Sequence, residues 1–192
     1  HVTGVQTCAL PIFVALGRFI VRAREAGALR VVLLGTEPFR RAADRDAALT
    51  AIRAATGIRL RVLSSEAEGR LALAGATAGQ PVEAPILLAD IGGGSTEVVL
   101  EVPGGRTAVR CVRTGSARLA RAVGYGDPPG EAALAAVDAA ARVAIGRRRL
   151  AGMARAITTC GTGTNVNRLL GRPRPQVLTR EDLAAARRLL GS

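Results

Sequence analysis

The segment Asp90–Leu100, DIGGGSTEVVL, concentrates residue types that handle phosphate. An apolar run leads into Asp90, then come Gly92, Gly93 and Gly94, then Ser95, Thr96 and Glu97 open a second apolar run. Glycines admit positive φ and let a backbone come close to a ligand. Successive amide N–H groups can then form an anion-binding nest. Charge-assisted hydrogen bonds of this kind contribute roughly 1.5–3 kcal/mol each. Asp90 at the strand end and Glu97 beyond the loop are placed to hold Mg²⁺, directly or through its waters. The plain alternative is a hairpin turn. A two-residue turn needs only one or two glycines, and acids do not usually flank it on both sides. The segment is not a P-loop, because a strand follows it and the chain has no lysine.

Other groups could take part. Glu66 and Glu68 lie in the run Ser65-Glu66-Ala67-Glu68, which is also a capping-box pattern with Ser at the cap and Glu three residues on. Gly161, Thr162, Gly163 and Thr164 follow an apolar run and open a helical one. That arrangement suits an anion at a helix N-terminus or plain strand-to-helix packing. Cys111 and Cys160 read as core residues rather than nucleophiles.

The elements that must position these groups alternate between helix and strand. Phe13, Leu16, Ile20 and Ala23 recur at helical spacing, and Gly27 stands where that helix would stop. Residues 30–34 and 58–63 read as strands, with a helix over 40–55 between them ended by Gly57. Residues 64–76 form a further helix. The 77–84 stretch, with Gly79 and Pro81, is the best boundary between domains. Strands follow at 85–91, 96–102 and 107–113, then helices at 115–123 and between Pro129 and Gly152. A strand at 154–159 leads to helices at 162–170 and 179–190, the last with Thr179 as N-cap and Asp182 in its first turn.

Composition limits the chemistry further. The 192 residues carry a net charge of +12, and all 27 basic side chains are arginine. The single histidine is His1, so an internal Ser-His-Asp triad, Cys-His dyad or His-ligated zinc is excluded. Without lysine there is no Schiff-base or kinase-type lysine. Catalysis must come from carboxylates, hydroxyls, arginine, backbone amides and a bound hard cation. Cys8, Cys111 and Cys160 are far apart and form no CxxC pair, which argues against a disulfide framework. No apolar run reaches the roughly 18 residues needed to span a membrane. The positive field attracts anions, yet aromatics make up only 2%, with no aromatic-interleaved nucleic-acid platform. His1–Ile12 resembles the translated read-through of a sequencing adapter, so the native chain is expected to begin near Phe13.

Asp90–Glu97 resembles the second phosphate loop of the exopolyphosphatase / guanosine pentaphosphate phosphohydrolase (Ppx/GppA) family. Four further segments are similar to the family in order and spacing. Thr36–Asp44, TEPFRRAAD, is similar to its T-s-A-x-R-x-A-x-N segment, with Arg40 on the arginine and Asp44 in place of Asn. Gly57–Gly75 is similar to the segment carrying its catalytic glutamate, Thr114–Leu119 to its l-G-a-x-r-L element, and Cys160–Leu170 to its G-G-T loop. The family's D-x-G-S-N-S loop has no counterpart in this sequence, and the family continues past residue 192.

The resemblance implies an α/β fold of two ribonuclease H-like domains of the actin-like ATPase superfamily, an incomplete first one over 13–80 and a second over 84–192. It implies release of terminal phosphate from inorganic polyphosphate or guanosine pentaphosphate. Glu68 would be the catalytic base, and Arg40, Gly92–Ser95, Gly161 and Thr162 would bind substrate. Asp90 and Glu97 would position Mg²⁺. The fragment is expected to be inactive alone, cytoplasmic, without membrane or nucleic-acid partners, with a homodimer left open. The rival readings are a non-catalytic polyphosphate or alarmone sensor and an ATP-dependent kinase of the same superfamily.

Overall fold

The computed structural model describes residues 4–124, 129–146, 153–172 and 178–191. The chain divides into two compact units, 1–64 and 65–192. In the first, α1 (Gly4–Glu25) precedes β1 (Leu33–Gly35), α2 (Glu37–Arg41), α3 (Arg45–Thr56) and β2 (Leu60–Val62). Helix α1 extends through residues 4–12, so the set-aside peptide continues the helix expected from Phe13 onward. β1 and β2 pair in parallel, with Leu33 opposite Leu60. Ile20, Leu33, Ile52 and Leu60 form the buried centre, with Phe13, Leu16 and Phe39 packed on it. The single helix expected over 40–55 is two helices, because Ala42 adopts extended backbone after α2. Gly57 ends α3 in the left-handed conformation that glycine adopts without a steric penalty.

The second unit is built on a four-stranded mixed sheet in the order β5-β4-β3-β6. These strands are β3 (Ile86–Ile91), β4 (Thr96–Val102), β5 (Arg106–Val112) and β6 (Arg155–Thr159). β4 pairs antiparallel with β3 and β5, while β6 runs parallel to β3. Alternation along β3 buries Ile86, Leu88 and Asp90 on one face. In register beside them on β4 are Glu101, Val99 and Glu97. α4 (Ser65–Ala76) covers that face, and Leu73, Leu88 and Val99 form its core with Val109 and Ile157. Full burial of side chains such as Leu88 and Val99 contributes roughly 1.5–3 kcal/mol each.

Gly69 explains the closeness of α4. A Cβ there would lie 2.8 Å from Val109 Cγ1 and 3.0 Å from Val99 Cγ2. The division therefore falls ahead of α4 rather than in the 77–84 loop, because α4 packs on the second unit's sheet. The remaining helices of this unit are α5 (Ser116–Val123), α6 (Glu131–Ile145), α7 (Cys160–Leu169) and α8 (Arg180–Gly191). The expected continuation of α6 toward Gly152 falls partly on residues 147–152, outside the described residues. α7 begins two residues earlier than its spacing suggests. Its Gly163 lies against β6, where a Cβ would come within 2.7 Å of Thr158 Cγ2.

Candidate active site

At the end of β3 the apolar rows of the sheet give way to a polar one. Strand register places Cys111, Glu97, Asp90 and Thr159 side by side across all four strands. Register partners share a face, so these groups stand on the face that α4 covers, one layer beyond Val109, Val99, Leu88 and Ile157. Asp90, Glu97 and Cys111 come from three consecutive strands, whereas Thr159 lies far along the chain and only the β3–β6 pairing brings it into line with them.

Glu97 is 1% exposed. Ser95 Oγ donates to its Oε2 at 3.3 Å, and Cys111 Sγ donates to its Oε1 at 3.4 Å. A buried carboxylate is costly unless such donors meet it. Glu97 therefore holds the loop's Ser95 in place as well as adding negative charge. Asp90 is also buried, and its Oδ1 has no hydrogen-bond partner among the described residues. That orphaned oxygen fits a hard cation, which prefers carboxylate oxygens. Among the described residues no group of at least three His, Cys, Asp or Glu side chains is arranged to hold a metal, so the protein's own contribution centres on Asp90.

The loop between the strands is held by α5. Gly92 N–H donates to the Ser95 carbonyl at 3.0 Å, closing the turn. The Gly92 carbonyl accepts from Ser116 N–H at 2.9 Å, and the Gly93 carbonyl accepts from Arg118 N–H at 3.0 Å. In a trans peptide the carbonyl and the following N–H point in opposite directions. Both carbonyls face α5, so the amides of Gly93 and Gly94 face away from it, and neither has a hydrogen-bond partner among the described residues. Two adjacent free N–H groups are the donor half of an anion nest. Thr96 Oγ1 donates to the Thr114 carbonyl at 2.8 Å and ties the start of β4 to the end of β5.

The expectation that these glycines supply positive φ is corrected. Neither Gly92 nor Gly93 lies in the left-handed region. Small size matters instead: a Gly92 Cβ would lie 3.2 Å from the Ser95 carbonyl oxygen. The tightest approach belongs to Gly115, where a Cβ would come within 2.5 Å of the Gly92 carbonyl oxygen.

The two glutamates of α4 separate. Glu66 is exposed and pairs with Arg70, whose Nε lies 3.0 Å from its Oε1. Such an i,i+4 pair adds about 0.2–0.5 kcal/mol. Glu68 is half-buried and lies beside Gly69, whose Cβ position is 3.6 Å from Glu97 Cβ. α4 starts at Ser65, so Glu68 is its fourth residue, one beyond the capping-box position.

Cys160 connects the parts. It follows Thr159 at the start of α7, with φ of 69° in the left-handed region, which is costly for a residue other than glycine. Its thiol is pushed up to about 11 by desolvation first, then by a hydrogen bond to Asp90 and by the charges of Asp90 and Glu68. Glu68, Asp90 and Cys160 thus converge within the second unit. Cys160 is exposed and Cys111 is half-buried on Glu97, so neither is the core residue expected from sequence. Thr162 Oγ1 donates to the Ile91 carbonyl at 2.9 Å and pins α7 to the end of β3. A Cβ at Gly161 would meet nothing within 4 Å. Arg40 lies in the first unit, where its Nη1 donates to the Leu63 carbonyl at 2.9 Å. Sequence reasoning missed the parts of Gly115, Ser116, Cys111 and Thr159. For Gly115 and Ser116 the signal was a glycine-serine step just before a helix.

Comparison with known proteins gives a family and a fold. The profile of the Ppx/GppA phosphatase family matches residues 12–181. A solved exopolyphosphatase-like protein is 25% identical with a TM-score of 0.72, covering 91% of this chain and 59% of that one. An exopolyphosphatase from Cytophaga hutchinsonii is 21% identical with a TM-score of 0.71, covering 94% of this chain and 62% of that one. A Ppx/GppA family member from Aquifex aeolicus is 22% identical with a TM-score of 0.67, covering 91% and 60%. The chain spans about three fifths of the length of these proteins. No curated protein matches it.

Proposed function

The chain belongs to the Ppx/GppA phosphatase family, and from that premise we propose that it is built to hydrolyse a terminal phosphoanhydride of inorganic polyphosphate or guanosine pentaphosphate. The observation that supports this reading most is the pair of outward amides at Gly93 and Gly94 beside the orphaned Asp90 oxygen. The amides would hold the terminal phosphate, with the Ser95 hydroxyl anchored behind them on Glu97. Charge at the transferring phosphoryl group is then met by fixed donors, which need no reorganisation during reaction. Glu68 would orient the attacking water and take its proton. Gly161, with open space where a side chain would stand, would leave room for substrate beside it. Asp90 would hold a Mg²⁺ ion, with Glu97 behind it. When bound, that ion would neutralise phosphate oxygens and polarise the scissile phosphorus.

In this reading both units are ribonuclease H-like. The 192 residues contain no D-x-G-S-N-S loop. Phosphoryl transfer depends on positioning, so a single phosphate loop yields binding with little turnover. Among the described residues no helix is long and apolar enough to cross a membrane. A cytoplasmic setting suits these substrates. The test compares equilibrium binding of Mg²⁺-polyphosphate and Mg²⁺-guanosine pentaphosphate with phosphate release. Binding with little release is expected. Absence of binding to both would overturn the substrate class, and rapid Mg²⁺-dependent release would overturn the single-loop argument.

A further inference from the structure

Thr159 stands where a threonine ordinarily caps a helix, and it does not cap. It is the last residue of β6 and directly precedes α7, with φ of −117° and ψ of 178°. That extended backbone is usual for an N-cap, whose hydroxyl accepts from an amide two or three residues on. Here Oγ1 makes no such bond. Cys160 follows with φ of 69°, where a helical residue has φ of about −63°. α7 therefore does not open with the turn that a capping hydroxyl meets. Thr159 Oγ1 is nevertheless shielded from solvent and has no hydrogen-bond partner among the described residues. Asp90 Oδ1 is in the same condition, and Asp90 and Thr159 are partners in the β3–β6 register. Adjacent strands lie about 4.8 Å apart, and register partners share a face. Two orphaned oxygens, one of a carboxylate and one of a hydroxyl, thus stand side by side and do not bond each other. The surroundings decide what such a pair would hold. Glu97 stands in the same row, and Glu68 and Asp90 converge on Cys160. Three carboxylates, with no basic side chain in the row, favour a cation over an anion.

We propose that Thr159 is a second oxygen of the Mg²⁺ site, its hydroxyl accepting a hydrogen bond from a water that the ion carries beside Asp90. This rests on the reading of Asp90 as the residue that holds the ion. Mg²⁺ keeps several of its waters when one or two carboxylates bind it. Groups behind the direct ligands fix the site's geometry and tune its affinity. A neutral hydroxyl does so without adding charge to a site that already carries three carboxylates. Thr159 is thus a positioning residue, acting on the ion through its water.

The experiment titrates Mn²⁺, and Mg²⁺ in a parallel series, into the whole chain by calorimetry, with no phosphate present. The unaltered chain is compared with Asp90→Asn, Thr159→Val and Thr159→Ser. Valine keeps the branched shape and removes the oxygen, whereas serine keeps the oxygen. Asp90→Asn is expected to lose saturable binding. Thr159→Val should bind about tenfold more weakly, and Thr159→Ser within about twofold of the unaltered chain. Urea midpoints measured with a chelator present separate this from a structural role. Because Oγ1 bonds nothing among the described residues, Thr159→Val should leave the midpoint unchanged or raise it. Equal Mn²⁺ affinity in Thr159→Val and the unaltered chain overturns the proposal and leaves the Asp90 reading standing. Weaker binding that comes with a lowered midpoint makes Thr159 a structural residue and also overturns it. Absence of saturable binding in the unaltered chain, or undiminished binding in Asp90→Asn, overturns the Asp90 reading and this proposal with it.

Discussion

Gly115→Ala should damage phosphate binding without touching phosphate. The added Cβ would come within 2.5 Å of the Gly92 oxygen, 2.6 Å of the Gly93 carbonyl carbon and 2.7 Å of the Gly93 oxygen. All three are backbone atoms, so relief requires the loop or the start of α5 to move. Such overpacking costs about 1–3 kcal/mol. Movement also breaks the bonds from Ser116 N–H and Arg118 N–H to the loop carbonyls, at about 0.5–1.5 kcal/mol each. Together the loss is about 2–6 kcal/mol, a large share of the roughly 5–15 kcal/mol stability typical of a domain. Once those carbonyls are released, the Gly93 and Gly94 amides lose their common direction. Losing one charge-assisted donor, roughly 1.5–3 kcal/mol, weakens binding at least about tenfold. Urea denaturation and calorimetric titration with Mg²⁺-tripolyphosphate read the two effects. Gly75→Ala is the control. Its Cβ meets nothing within 4 Å in the last turn of α4, and it should stabilise by no more than the roughly 0.5–1 kcal/mol of a mid-helix position. An unchanged midpoint together with unchanged tripolyphosphate affinity in Gly115→Ala would refute the argument that α5 orients the loop.

Glu68→Gln in an active, longer family member carrying this segment should keep the fold and lower turnover by about 10²–10⁴; near-normal phosphate release would reduce Glu68 to a structural residue. The raised Cys160 thiol should alkylate slowly at pH 8, and Asp90→Asn should speed that reaction. Peptide mapping of the modified cysteine checks this, and an equal rate in both proteins would separate Cys160 from Asp90. Gly69→Ala should lower stability by about 1–3 kcal/mol by pressing on Val99 and Val109, which a denaturation midpoint reads. Asp182 is held below its ordinary 3.8 by hydrogen bonds from Arg172 and the Thr179 backbone N–H. A depressed carboxylate stabilises the fold above its ordinary pKa and loses that contribution as pH falls through the folded value. Asp182→Asn should therefore flatten the decline in stability below pH 3.8, and an unchanged acid limb would contradict the pairing.

The order of elements was legible because local signals agreed with tertiary demands. The Thr179–Asp182 pattern is realised as a reciprocal cap, with Thr179 N–H donating to Asp182 at 2.9 Å and Asp182 N–H to Thr179 Oγ1 at 3.2 Å. The DIGGGSTE segment named its own strands and turn. What stayed hidden depended on pairing between distant segments. Nothing local puts Thr159 beside Asp90, which follows from register between β3 and β6, far apart in sequence. Cys111 meets Glu97 across the β4–β5 hairpin, whose register the spacing alone does not fix. Glycine chemistry misled at Gly92 and Gly93, since the sequence cannot distinguish a need for positive φ from a need for small size. Composition misled at Cys160, where an apolar-looking residue stands exposed in a left-handed backbone beside two carboxylates. The break after α2 at Ala42 carried no glycine or proline to mark it.

The central claim is that the amides of Gly93 and Gly94, beside Asp90, receive the terminal phosphate. An NMR titration of the isotopically labelled chain with Mg²⁺-tripolyphosphate tests it at the atoms concerned. The account predicts that the amide signals of Gly93, Gly94 and Ser95 move first and furthest, and that Gly115→Ala abolishes those movements. Saturable binding that shifts only signals of the first unit, with the 92–95 amides unmoved, would contradict it.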